Sequence, residues 1–299
     1  MIYNYKKVGI VILNYNDWNE TVAYCKAIID YEILDKIVVV DNASTDESII
    51  KLKQFLSGYD KVQVILSKEN NGYAAGNNLG INYLIENDYS YIIISNPDIE
   101  VAEAVIKKMV DFVNDYKEKI GMCAPNAEEW GNPNPMTAWK LPNKSMMIKE
   151  NFILFSRLQG DTRRYTNMSG DYFEVECLPG AFFMITSDAI KDVGGMDEET
   201  FLYCEEQILA FNVKKTGYKN YILPNIKYLH KQSTTIKKSI PQLSKRFRIA
   251  YDSNRVYCRK CLNMNRFELF LFDISYFLGT KGFLAILRVR NLFLKIKKN

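Results

Sequence analysis

Four groups of residues in this chain have types and spacings suited to chemistry. The first is Ser95-Asn96-Pro97-Asp98, which closes the apolar run Tyr91-Ile92-Ile93-Ile94. Such a run reads as a strand buried on both faces of a sheet, and Pro97, with no N–H, stops the ladder. Asp98 then stands just past the carboxyl end of a strand, where open α/β sheets bind ligands, and a carboxylate there calls for a cation or a donor. A divalent metal with the phosphates it carries would meet that need, and an ordinary Asn-Pro-Asp turn is the alternative. The second group, Asn70 to Gly80, is rich in small residues at a helix start. It allows close approach of an anionic ligand, or close helix packing through Gly72, Gly76 and Gly80. Its spacing matches neither a dinucleotide fingerprint nor a P-loop, which disfavours a dehydrogenase or a P-loop ATPase. The third group is Glu205-Glu206, after the aromatic stretch Phe201-Leu202-Tyr203. Adjacent carboxylates split their pKa values, so that one can act as a base near neutral pH; an acidic first turn of a helix is the alternative. The fourth is His230, the single histidine, a short loop beyond the expected strand Tyr221–Leu223. With Asp98 it would make a partial metal shell that phosphate oxygens and water complete.

These groups need elements to hold them. Val8 to Leu13 reads as a buried strand ending at Asn14-Tyr15-Asn16, and 17–30 as a helix. Ile37 to Val40 is a second strand ending at Asp41, followed by the loop Asn42–Asp46, with Ser44 or Thr45 as the cap of a helix over 47–55. Val62–Leu66, a loop passing into a helix from Gly72 to Leu84 and the strand Tyr91–Ile94 continue the alternation, which predicts parallel βαβ units in a doubly wound sheet. Asn14, Asp41 and Asp98 would then converge on one edge, as at a nucleotide site. Ala124 to Ser145 holds four prolines and two tryptophans and reads as a long loop over the site. Phe173–Leu178 reads as an edge strand, Gly180–Ile185 as a buried strand and Ser187–Val193 as a short helix; from about Ile240 the chain is helical, basic and aromatic.

The 299 residues, 47% hydrophobic and 25% charged, suffice for a large core and one or two domains. No signal pattern opens the chain, and no uncharged apolar run approaches the roughly 20 residues that span a bilayer. Six scattered cysteines suggest no disulfide framework and so a reducing cytosol; Cys258 and Cys261 lack the second pair that a structural zinc needs and read as packing residues. Charge is uneven. From Lys227 to the end there are 17 lysines and arginines against 3 acidic residues, a net of +14, which leaves −10 for residues 1–226. That asymmetry points to an anionic partner surface. No aromatic-basic RNA motif accompanies it, so nucleic acid is not expected.

In order along the chain, Val11-Ile12-Leu13-Asn14-Tyr15-Asn16, Val39-Val40-Asp41-Asn42-Ala43-Ser44-Thr45-Asp46, Asn70-Asn71-Gly72-Tyr73-Ala74-Ala75-Gly76-Asn77-Asn78, Ser95-Asn96-Pro97-Asp98, Gly180-Ala181-Phe182-Phe183, Gly194-Gly195-Met196-Asp197 and Glu205-Glu206 resemble a family 2 glycosyltransferase of the GT-A fold, most like the bacterial rhamnosyltransferase branch. The resemblance covers about Lys7 to Ser233. It implies a Rossmann-like, mostly parallel sheet flanked by helices over 1–235, with a nucleotide-binding half to about residue 100 and an acceptor half to 235, then a basic helical extension over 236–299. It implies inverting transfer of a sugar from a nucleotide-diphosphate donor (dTDP-rhamnose or a UDP-hexose) to a glycan or lipid-linked acceptor in cell-surface polysaccharide synthesis. Asp41 matches the residue that holds the nucleobase. Asn14, Asn16, Asn71, Gly72, Ala75, Asn77 and Asn96 match positions lining the nucleotide sugar, and Gly180, Ala181 and Trp139 face the acceptor. Asp98 matches the last carboxylate of the D-x-D motif, which binds Mg²⁺ or Mn²⁺, and His230 a histidine that joins that shell. Glu206 matches the general base, with Glu205 as the alternative.

Three positions depart from the family pattern. Asn96 replaces the first D-x-D carboxylate, the base is Glu rather than Asp, and Ile208 stands where a further acidic residue is common. A catalytically weak nucleotide-sugar-binding or scaffold protein of the same fold therefore stays open. After Asp273 no acidic residue occurs, and the aromatic, basic tail reads either as amphipathic helices on an anionic membrane or as a helical cap on the catalytic domain. The first reading places the protein in the cytoplasm, peripheral on the inner face of the cell membrane. A homo-oligomer is left open.

Overall fold

The computed structural model describes residues 6–129, 132, 137–152, 163–165, 168–231 and 240–286. Strands β1 (Val8–Asn14), β2 (Lys36–Asp41), β3 (Val62–Leu66) and β4 (Tyr91–Ser95) alternate with helices α1 (Trp18–Ile28), α2 (Ser48–Leu56) and α3 (Tyr73–Glu86). Then follow β5 (Ile99–Glu100), α4 (Glu103–Asp115), β6 (Ile120–Glu129), α5 (Lys144–Glu150), β7 (Phe173–Val175), β8 (Phe182–Thr186), α6 (Ser187–Val193), α7 (Glu205–Lys215) and β9 (Lys219–His230). Helices α8 (Leu243–Lys260) and α9 (Arg266–Tyr276) close the described chain, α9 running on through a π-helical turn at Phe277–Lys281.

The strands form one sheet in the order β3-β2-β1-β4-β8-β6-β9-β5, with β7 on β9. The first four strands are parallel, as their alternation with helices predicts. Beyond them the sheet is mixed: β8 runs antiparallel to both β4 and β6, and β6 is parallel to β9. Alternate residues feed two cores. Ile10, Ile12, Val39 and Ile93 pack with Val22, Leu52 and Ile106 on one face, and Val11, Val38, Val40 and Ile94 pack with Ile81, Ile190 and Leu209 on the other.

The expected loop from Ala124 is corrected over its first six residues, which finish β6. Pro125 was the misleading signal. It sits at the register shift between Pro125 and Asn126, where the ladder asks no N–H of it. The expected strand Tyr221–Leu223 is part of a longer one, because Pro224 lies in the bulge opposite that shift. His230 is thus the last residue of β9 rather than a residue beyond a loop. Lys144 and Ser145 open α5, whose cap Asn143 accepts from the Met146 N–H at 3.0 Å. Residues 130–131 and 133–136 of the expected loop lie outside the described residues.

The C-terminal helices pack as a cap. Val256, Tyr257, Cys258, Cys261 and Phe272 form a third core with Met147, Cys204 and Ile208, so the two C-x-x-C cysteines are packing residues as expected. The stretch Arg266–Ile286 is long and apolar enough, by length and composition, to cross a membrane, but it is not an uncharged run, since it carries Arg266, Glu268, Asp273 and Lys281. Arg288, Arg290 and Lys295 of the tail lie outside the described residues.

Candidate active site

Strand direction brings the chemistry to one edge. β1, β2, β4, β6 and β9 all run the same way and end there, at Asn14, Asp41, Ser95, Glu129 and His230. β8 runs the other way, so its beginning, Gly180–Ala181, reaches the same edge, and the Asn96 N–H donates to the Ala181 carbonyl at 2.8 Å.

At the β1–β2 end, Asn14 and Asp41 are register partners. Asp41 is fully buried. Its Oδ2 accepts from Asn14 Nδ2 at 2.8 Å and Ser44 Oγ at 2.7 Å, and its Oδ1 from the Ser44 N–H at 3.0 Å. Asn14 Oδ1 accepts from Thr21 at 2.8 Å, and Asn16 Oδ1 from the Thr45 N–H at 2.8 Å. These bonds fold the 42–46 loop. Neither Ser44 nor Thr45 caps α2, since the Ser48 N–H is taken by Asp46 Oδ1 at 2.9 Å.

At the start of α3 the packing reading of the glycines holds for Gly76 and Gly80, where a Cβ would strike the side chains of Leu13 and Val11. Gly72 has φ +99° and lies against the Phe201 carbonyl, where no side chain fits. The next N–H, of Tyr73, donates to that carbonyl at 2.8 Å. Asn42 Nδ2 reaches the Gly72 carbonyl at 3.1 Å, which joins the Asp41 loop to this helix start. Asn71 is exposed and bonded to Glu69, Ala75 is half-buried, and Asn77 is buried with Nδ2 on the Tyr73 carbonyl at 3.0 Å.

The centre of the edge is Tyr73, a residue not singled out from the sequence. Its hydroxyl lies 2.8 Å from the Gly180 carbonyl oxygen and 3.1 Å from Asn96 Oδ1. Burial raises its pKa, and the charges of Glu205, Glu206 and Asp98 raise it further, so one phenol feels all three carboxylates. Glu205 and Glu206 open α7 after Tyr203 and Cys204, which hold φ of 71° and 68°. Two consecutive left-handed non-glycine residues are costly and occur where a turn must aim the next side chains. Burial pushes the Glu205 carboxyl well up and the Glu206 charge adds to it; among the described residues its Oε2 has no hydrogen-bond partner. Glu206 is half-buried and its pKa is also raised, burial outweighing its backbone hydrogen bond and the Arg163 charge. Glu206 borders Gly180, where a Cβ would lie 3.8 Å from its own.

Asp98 and His230 face each other, with His230 Nε2 3.3 Å from Asp98 Oδ2 and Nδ1 4.0 Å from Glu129 Oε1. Pairing of Ile99 with His230 across β5 and β9 sets this geometry. Burial lowers the His230 pKa, but the Asp98 hydrogen bond and the Asp98 and Glu129 charges outweigh it and the net shift is upward. Glu129, in the stretch whose prolines predict a loop, is the last residue of β6. Among the described residues no cluster of three acidic, His or Cys side chains could hold a metal by itself. The donor set of one carboxylate and one imidazole fits a Mg²⁺ or Mn²⁺ ion that arrives with a diphosphate and keeps phosphate and water ligands.

Trp139 is buried in the core, bonded through its backbone to Cys177, and among the described residues its Nε1 has no partner. Ile208 is buried against the C-terminal helices, which gives its apolar character a packing reason.

The family model for glycosyl transferase family 2 matches residues 9–194, more than half of the chain. Among curated proteins, the chain is 25% identical over 181 residues to the low-salt glycan biosynthesis hexosyltransferase Agl10 of Haloferax volcanii, covering 60% of this chain and 53% of that one. It is 24% identical over 194 residues to the dTDP-rhamnosyl transferase RfbF of Shigella flexneri (65% and 59%), and 24% identical over 201 residues to the rhamnosyltransferase WbbL of Escherichia coli (65% and 72%). The chain thus spans between half and two thirds of the length of the first two. Solved structures share its fold. GalNAc-T7 with UDP, GalNAc and Mn²⁺ superposes with a TM-score of 0.59 at 16% identity over 93% of this chain and 58% of that one. The mannosyltransferase PcManGT of Pyrobaculum calidifontis with GDP-Man and Mn²⁺ gives 0.54 at 12% identity over 98% and 81%. The fold is GT-A, and the chain belongs to glycosyl transferase family 2.

Proposed function

We propose that the chain is an inverting glycosyltransferase that moves a sugar from a nucleotide-diphosphate donor, dTDP-rhamnose or a UDP-hexose, to a hydroxyl of a glycan or lipid-linked acceptor. The names of RfbF, WbbL and Agl10 support rhamnose or a hexose as the sugar. The observation that carries the reading is the arrangement about Tyr73, whose hydroxyl meets both Gly180, which Glu206 borders, and Asn96, two residues before Asp98 and its partner His230.

In this reading Asn14, Asn16, Asn71, Gly72, Ala75 and Asn77 line the nucleotide sugar. Asp41 acts from beneath, by holding the loop Asn42–Asp46 in shape for the base. Asp98 and His230 hold the cation that travels with the diphosphate. Mg²⁺ or Mn²⁺ held there would supply positive charge opposite the charge that grows on the leaving diphosphate. Asn96 supplies an amide beside them. Glu206 takes the proton from the acceptor hydroxyl, and its raised pKa suits that task, worth roughly 10²–10⁴ in rate. Glu205 lies deeper, and burial together with the Glu206 charge pushes its carboxyl well up, which disfavours a second negative charge in the site. Attack from the face opposite the leaving group inverts the anomeric carbon.

The test is a panel of nucleotide sugars with Mn²⁺, read as nucleoside diphosphate release with and without a lipid-linked glycan acceptor. Release that needs the metal and is lost in Glu206→Gln, with donor binding intact, is the expected result. Donor binding without release by the wild type would favour the weakly active binding protein that Asn96 keeps open.

A further inference from the structure

Helix α9 and its π-helical continuation have two unlike faces. One is fixed to the protein. Phe272 is fully buried, Asn151 Nδ2 donates to Ser275 Oγ at 2.8 Å, and Lys144 Nζ meets Glu268 at 2.8 Å. Asp273 accepts from the Tyr251 hydroxyl at 2.6 Å and from Arg255 Nε at 3.0 Å, and Gly279 is seated against the backbone of Asn151 with no room for a side chain. The other face carries Phe267, Phe270, Leu271, Ile274, Phe277 and Leu278, all exposed, with Phe267, Phe270, Phe277 and Leu278 each more than half so. Spacings of three and four residues put them on one side of the helix. A continuous apolar stripe of this length on a protein surface marks an interaction site.

We propose that this face lies in the plane of an anionic membrane surface. Charge selects the partner. Arg266 and Lys281 flank the stripe in the open, while both acidic residues of the helix, Glu268 and Asp273, are turned to internal partners. The sequence past Ile286 adds Arg288, Arg290, Lys295, Lys297 and Lys298 and no acidic residue. A second copy of the chain would bring like charge against like, whereas acidic headgroups complement it. The internal ties select the depth. A membrane-crossing helix would carry Glu268, Asp273 and their partners into hydrocarbon, at high cost. A helix lying flat buries only the phenylalanine stripe, at the boundary of headgroups and acyl chains, and leaves every tie intact.

The experiment is flotation of the full-length protein with vesicles, either phosphatidylglycerol with phosphatidylethanolamine or phosphatidylcholine alone, with neither donor nor acceptor present. Failure here and failure of sugar transfer are therefore read separately. The wild type floats with the anionic vesicles at least about tenfold more than with phosphatidylcholine. Phe270→Ser with Phe277→Ser abolishes flotation at an unchanged melting temperature. Glutamine at Arg288, Arg290, Lys295, Lys297 and Lys298 weakens it about tenfold or more while the fold is untouched. Phe277→Trp gives an independent reading, a blue-shifted emission that brominated lipid quenches. Wild-type protein that stays behind, a serine variant that floats as well as the wild type, or equal binding to both vesicle types would overturn the proposal. So would a dimer that the serine substitutions dissociate without any vesicle binding, which would assign the face to a second copy.

Discussion

Tyr73 and Asn96 meet at the middle of the site, phenol oxygen to amide oxygen, at 3.1 Å, while the same phenol lies 2.8 Å from the Gly180 carbonyl. A hydroxyl has one proton and two acceptors compete for it here. The phenol therefore ties the turn after β4 to the turn before β8 and limits how the Asn96 amide can rotate. Tyr73→Phe is expected to cut kcat/KM for the donor by about five- to tenfold, in line with about 1 kcal/mol for one hydrogen bond. A Mn²⁺ titration of the nucleoside diphosphate complex should weaken in parallel, and an unchanged titration would assign Tyr73 to packing alone.

Glu206→Gln is expected to lose 10²–10⁴ in kcat, roughly the worth of a positioned base, with donor affinity within about twofold of wild type. Glu205→Gln should cost far less, because burial and the Glu206 charge already disfavour the charged carboxyl at that position. Steady-state kinetics on the two variants with one acceptor checks both. Equal losses would mean that the pair acts as a unit.

The pH dependence follows from the same pair. Glu206 must be ionised to accept a proton, and its pKa is raised, so turnover should fall as pH drops through a value above the ordinary glutamate 4.5. Stability runs the other way. A carboxyl whose pKa is raised on folding favours the folded state below its unfolded pKa, and that contribution is lost as pH rises through the raised value. Glu205→Gln should therefore raise the melting temperature at pH 7 to 8, and the gain should vanish toward pH 4. Calorimetry across that range checks the sign.

Asp98→Asn and His230→Gln should each weaken Mn²⁺ binding in the presence of nucleoside diphosphate by about tenfold or more, as loss of one ligand from a sparse shell requires. Spin-resonance titration of free Mn²⁺ reads this without turnover. Ile208→Asp puts back the carboxyl common in the family and is nevertheless expected to destabilise by about 3 kcal/mol or more, because it places an unpaired charge in the core beneath the C-terminal helices. Thermal melting checks it, and an unchanged midpoint would show that the site admits water.

Much of the candidate site's edge was legible because β1, β2 and β4 are written as apolar runs rich in Val and Ile, each ending in a polar residue. The strands that supply Glu129 and His230 were obscured by Pro125 and Pro224, since a proline in a strand reads as its end unless the bulge opposite it is known. Helix α4 bears none of the site motifs, and only the spacing of Ile106, Met109 and Val110 marks it in the sequence. Residue type does not give burial: Asp41 is fully buried, and its bonds within the protein are to Asn14 and Ser44. Tyr73 reads as an aromatic among small residues, and its hydroxyl gains meaning only when Gly180, more than 100 positions away, folds against it.

Lys260 Nζ holds Asp197 at 2.6 Å and Ser253 Oγ holds the Leu202 carbonyl at 2.8 Å, so the turn that aims Glu205 and Glu206 is pinned by a helix well beyond residue 194, where the family match stops. Expression fragments trimmed to that boundary would lack both glutamates and His230. Fragments trimmed after β9 would keep them but leave Ile208 and Cys204 uncovered and the turn unanchored. For this protein the smallest unit worth purifying for kinetics includes α8 and α9, and inactivity of anything shorter would reflect a loosened turn before it reflected a lost acceptor.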